Sequence, residues 1–137
     1  MELKDGHRCF VCGAENEGGL RLSFLVDEAG RSITTEFTPG RTYQGYEGVV
    51  HGGIISTVLD EAMTKLAFSL GIDAVTGRLT VRFKRPLMVG ETVIVTGRLV
   101  KESGRAIEAE AKAMKPDGTV IAMADGLLMR LTSPTQR

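Results

Sequence analysis

The stretch from His51 to Gly71 constrains this chain most. Ile54, Ile55, Val58, Leu59, Ala62, Met63, Leu66 and Leu70 recur at the 3.6-residue period, which predicts one long helix with a broad apolar face. Ser56, Thr57, Asp60 and Thr64 fall on the other side. Gly52 and Gly53 open the helix, and Gly71 suits the residue just past its end. A helix start carries free N–H groups and the positive end of the dipole. Glycine there lets another group approach closely. A carboxylate, Asp60, follows about two turns along. One end can polarise an oxygen and the middle can supply a base, a pairing suited to acyl chemistry. The same spacing also fits a buried helix whose Asp60 faces water.

A length of 137 residues fits one domain, read here as 1–137. Such a chain buries roughly 70% of its unfolded surface, so it needs no staples. Lys+Arg and Asp+Glu both number 17, and there is no basic block, which argues against nucleic acid as the partner. No apolar run reaches the ~20 residues that cross a bilayer. Met1 to His7 lacks an apolar signal core, so a cytoplasmic location is expected.

The remaining pattern is β. Leu20, Leu22, Phe24 and Val26 alternate with polar residues, Asp27-Glu28-Ala29-Gly30 reads as a turn, and Ile33, Thr35 and Phe37 resume the alternation. A glycine-rich polar loop, Arg41 to Gly48, leads into the helix. After the helix, Leu79, Val81 and Phe83 alternate with Arg78, Thr80, Arg82 and Lys84, and Pro86 closes the strand. Three long strands follow, near Thr92–Lys101, Ile107–Ala113 and Val120–Leu131. Short turns imply antiparallel neighbours. The tail from Thr132 reads as frayed. One apolar helix and one curved sheet must then bury each other, an α+β class. The alanines of Ile107–Ala113 leave room for a bulky helix.

Cys9-Phe10-Val11-Cys12-Gly13, with His7 nearby, offers soft ligands for part of a zinc site. A fourth ligand and a second cysteine pair are missing, so two reduced thiols in a packed arm are expected, with no metal.

Taken together, these motifs resemble the hotdog-fold acyl-CoA thioesterases of the PaaI-like type, which include thioesterase superfamily members 2 and 4. The resemblance rests on Cys9-Phe10-Val11-Cys12-Gly13 with Gly19-Leu20, on Tyr43-Gln44-Gly45 before Gly48-Val49-Val50-His51-Gly52-Gly53, on Asp60, and on Arg82-Phe83-Lys84-Arg85-Pro86 with Gly90-Glu91. It implies a curved antiparallel sheet wrapped around one central helix. It also implies a dimer or dimer of dimers, a homotetramer, with each site built from two subunits. Asp60 would be the catalytic carboxylate, Gly52 N–H would polarise the thioester carbonyl, and Thr76 would position water. Gln44 and Gly45 fall where the loop contacts the carbonyl region.

The chemistry agrees. A hydrogen bond from a helix-start N–H strengthens as the carbonyl oxygen becomes negative. Asp60 can act as a base toward water or attack the carbonyl itself. The leaving thiolate needs no metal, so no cofactor is expected. Gly53 shares the approach to the helix start, and His51 orients the loop or serves as a base. Glu61 is read as a surface or subunit-contact residue. Arg78, Arg82 and Lys84 share a face by alternation, and Arg82 and Lys84 are candidates to grip coenzyme A phosphates. The rivals are a non-catalytic acyl-CoA-binding module, a dehydratase needing an Asp/His pair, and a zinc-dependent interaction protein.

Overall fold

A computed structural model describes residues 1–131; the tail expected to fray lies outside them. Its long helix, α1, spans Gly52–Ser69. His51 caps it, accepting a hydrogen bond from Gly53 N–H, and Gly71 follows it with positive φ. Gly71 thus takes the left-handed conformation that favours glycine at a helix end. Ile55, Val58, Leu59, Ala62, Met63, Leu66 and Ala67 are buried. Burial of each large aliphatic side chain among them contributes about 1.5–3 kcal/mol.

Six strands form one antiparallel sheet among the described residues: β1 (Phe24–Asp27), β2 (Ser32–Phe37), β3 (Ala74–Phe83), β4 (Val93–Ser103), β5 (Ala106–Met114) and β6 (Val120–Arg130). Their order across the sheet is β1-β2-β4-β5-β6-β3. The sheet curves round α1 as a hotdog fold. Small residues allow the close approach. A Cβ at Gly97 would lie 3.3 Å from Ala62, and one at Gly126 would lie 2.8 Å from Met63 Sδ. Ala109, Ala111, Ala113, Ala122 and Ala124 are buried on the same inner face.

Two expectations need correction. β4, β5 and β6 pair in succession as their short turns require, but β3 pairs with β6, not with β4. The connection from Lys84 to Thr92 is no hairpin. Lys84 and Arg85 N–H groups bond to Ile121 O, Leu87 is buried, and its carbonyl accepts from Val50 N–H, so the chain crosses the end of the sheet. The first strand is also shorter than its alternation implies. Leu20 and Leu22 donate to Phe10 O and Val11 O, so this segment lies along the N-terminal arm instead.

No helix among the described residues is long and apolar enough to cross a membrane.

Candidate active site

Parity decides which β3 side chains meet the helix. Leu79 and Val81 pack inward, so strict alternation would turn Thr76 outward. A β-bulge between Thr76 and Arg78 inserts Gly77 and reverses the parity. A Cβ at Gly77 would lie 2.8 Å from Met129 Cγ, which accounts for glycine there. Thr76 therefore faces α1 and its hydroxyl donates to Asp60 Oδ1 at 2.5 Å. Both side chains are half-buried. Asp60 is thus held in one orientation by the sheet, not left to turn in water.

The helix start is built from the loop before it. His51 N–H donates to Tyr43 O, and His51 Nδ1 accepts from Gly53 N–H at 2.8 Å. With Nδ1 accepting, the neutral ring carries its proton on Nε2. Gln44 Oε1 accepts from Gly48 N–H and Gly45 N–H donates to Val49 O, so both residues shape the loop itself. A Cβ at Gly45 would lie 3.3 Å from the His51 ring, so glycine lets the two pack. Gly52 N–H takes no partner among the described residues. It borders an open cleft of about 560 Å³ lined by Tyr46, Val49, Ile55, Phe83, Arg85 and Leu87 among others. A Cβ at Gly52 would touch Phe83 at 3.4 Å.

The predicted residues therefore form two groups. Asp60 and Thr76 make one; Gln44, Gly45, His51, Gly52 and Gly53 make the other. The helix rises about 1.5 Å per residue, so Gly52 and Asp60 are about 12 Å apart along its axis. One carbonyl cannot contact both within a single chain.

The basic residues divide as well. Arg82 lies on the outer face of the sheet beside Thr96, Arg98 and Lys112, away from the helix. Lys84 is exposed just beyond the end of β3. Arg85, left out of the alternating face, lines the cleft at Gly52. Pro86 was the available signal, since it takes the chain out of the strand at that point. Phe83, on the apolar side of the β3 alternation, is 52% exposed and walls the cleft.

Glu61 sits on neither group. Its Oε2 accepts from Cys12 Sγ at 2.9 Å and Cys9 Sγ at 3.3 Å. Burial, then the hydrogen bond and negative charge of Glu61, push the Cys12 thiol up to about 12. Cys12 is therefore protonated at neutral pH.

Residues 47–122 match the Thioesterase superfamily model, and the chain belongs to that family. Over 123 residues it is 30% identical to the acyl-coenzyme A thioesterase THEM4 of Rattus norvegicus, and over 118 residues 31% identical to human acyl-coenzyme A thioesterase THEM5. These alignments cover 89% and 85% of this chain but 53% and 47% of those proteins, so the chain spans about half their length. A solved thioesterase superfamily protein superposes with TM-score 0.83 at 28% identity, covering 90% of this chain and 63% of that one. A Streptococcus mutans protein solved with acetyl-CoA superposes at 0.76 and 20% identity, covering 82% and 90%, a likeness of fold.

Proposed function

We propose that this protein hydrolyses the thioester of an acyl- or aryl-acyl-CoA to free acid and coenzyme A, acting as one thioesterase domain over 1–137. The observation that carries the reading is the hydrogen bond from Thr76 to Asp60, a carboxylate oriented from the sheet while its second oxygen stays available. Asp60 activates water or attacks the carbonyl, and Thr76 keeps it aimed. The oxygen of the substrate carbonyl lies on Gly52 N–H, where donor and helix dipole both favour developing negative charge.

The separation of about 12 Å along α1 supports a reading in which the two functions come from different chains. The site is then completed by Gly52 of the partner subunit, and the protein works as a dimer or dimer of dimers. The ten-residue edge strand β3 and exposed Val75, Phe83 and Met129 support such an assembly, because an open edge flanked by apolar side chains favours pairing. The names of the curated relatives support the substrate class. Arg85 at the cleft is placed to meet coenzyme A phosphates. Arg82 and Lys84 can do so only where the ligand extends past the sheet end.

Hydrolysis of an acyl-CoA panel, followed with a thiol reagent, tests the reaction and the acyl preference together. Thiol release that depends on Asp60 is expected. Binding of acyl-CoA with no release by the parent protein would leave a non-catalytic acyl-CoA-binding module instead.

A further inference from the structure

The N-terminal arm holds a second cluster that the thioesterase chemistry does not use. Cys9 Sγ, Cys12 Sγ and a Glu61 carboxylate oxygen all lie within 4.8 Å of one another, and all three residues are half-buried. The cysteines come from a tight turn. Gly13 N–H donates to Cys9 O at 2.8 Å, and Val11 N–H points at Cys9 Sγ at 3.4 Å. A Cβ at position 13 would fall 2.3 Å from Cys9 N, so this turn requires glycine after the second cysteine. The turn presents both sulfurs to one point and aims a backbone donor at one of them, as a bound thiolate needs.

We propose that Cys9, Cys12 and Glu61 bind a zinc ion that ties the N-terminal arm to helix α1, with water as the fourth ligand. This goes beyond the thioesterase reading and does not depend on it. It also replaces the expectation of two reduced thiols without a metal.

The donor set fits the ion. Zinc takes thiolate sulfur at about 2.3 Å and carboxylate oxygen at about 2.1 Å, so a tetrahedral site holds S and O donors about 3.6 Å apart. The observed separations of 3.3 and 2.9 Å need to open by less than about 1 Å. The fourth ligand that the sequence lacks has room. An open cavity of about 360 Å³ borders all three donor residues, together with Asp5, Arg8 and Phe68. Charge closes too. Two thiolates, one carboxylate and Zn²⁺ sum to −1, and Lys65 Nζ lies 3.4 Å from Cys12 Sγ to balance it. Binding exchanges two thiol protons for the ion and involves no electron transfer.

The test uses the full chain, reduced, stripped of metal with a chelator, and titrated with cobalt(II) and then zinc. One equivalent of cobalt should bind with sulfur-to-cobalt charge-transfer absorption, and zinc should displace it with release of about two protons. Zinc should also raise the unfolding temperature of the parent. Cys12→Ser should abolish the charge-transfer band. Glu61→Gln should keep the band and weaken zinc binding. Lys65→Ala should weaken it by roughly tenfold, the scale for an outer partner of a ligand. No charge-transfer band at saturating cobalt, with both thiols titrating as reduced, would overturn the proposal without any variant. So would zinc binding that survives unchanged in Cys9→Ser/Cys12→Ser.

Discussion

Asp60 and Glu61 are consecutive carboxylates on one helix, and the fold gives them different company. A rotation of about 100° separates them. Asp60 meets a hydroxyl from the sheet, Thr76, which donates to one of its two carboxylate oxygens. Glu61 meets two thiols from the N-terminal arm, and one Glu61 oxygen accepts from both. Neighbours in sequence thus join two separate clusters because a helix turns them toward different walls. The hydroxyl neighbour suits a base that must exchange protons with substrate or water. The thiol pair suits a carboxylate that acts as a fixed ligand.

The sharpest way to break this contrast is to neutralise each acid in turn. Asp60→Asn keeps the size and should lower kcat by roughly 10²–10⁴-fold, the scale for a positioned base, with folding intact. Glu61→Gln should lower kcat by no more than roughly threefold, since its carboxylate lies outside the reacting atoms. Steady-state kinetics with acyl-CoA, beside thermal unfolding, checks both. Equal losses would erase the functional difference between the two acids.

A second experiment asks whether Asp60 works with a helix start from another chain. Asp60→Asn and Gly52→Val should each be inactive alone. Unfolded and refolded together, random dimers should regain about a quarter of parental activity, because half are mixed and each mixed dimer has one intact site. Mixtures that stay inactive, or a monomer by sedimentation at micromolar concentration, would remove the two-chain site.

Thr76→Ala tests the sheet's part in the Asp60 environment. A hydrogen bond to a charged group contributes about 1.5–3 kcal/mol. Its loss should therefore cost roughly 10–100-fold, mostly in kcat and less in KM. Unchanged kinetics would make Thr76 a structural residue only.

The smallest effect concerns the basic residues. Arg85→Ala should raise KM by roughly two- to fivefold, as for a partly exposed charge pair, while Arg82→Ala should not. The reverse order would place coenzyme A across the outer face of the sheet.

Much of this was legible in the chain. The period of Ile55, Val58, Leu59, Ala62 and Leu66 specified the helix, because a run with that spacing has one way to bury its apolar side. His51-Gly52-Gly53 marked the helix start, and Asp60 stood out as an acid beside residues that need none. Strand alternation likewise found β2, β4, β5 and β6. These are local properties, settled within one or two turns or along one strand.

What escaped the sequence depends on contacts between distant segments. The pairing of β3 with β6 follows from a crossing connection that its length disguises as a turn. Thr76 reaches Asp60 only because Gly77 bulges, and the reason for that glycine is Met129, fifty-two positions away. Arg85 borders the cleft and Arg82 does not, because the strand ends at Phe83. Glu61 joins Cys9 and Cys12 because the arm packs on the helix, so the third donor is absent from any local motif. Periodicity tells a residue which side it occupies. Only the packed structure decides what stands on that side, since closing the core brings together groups whose separation along the chain carries no signal of their meeting.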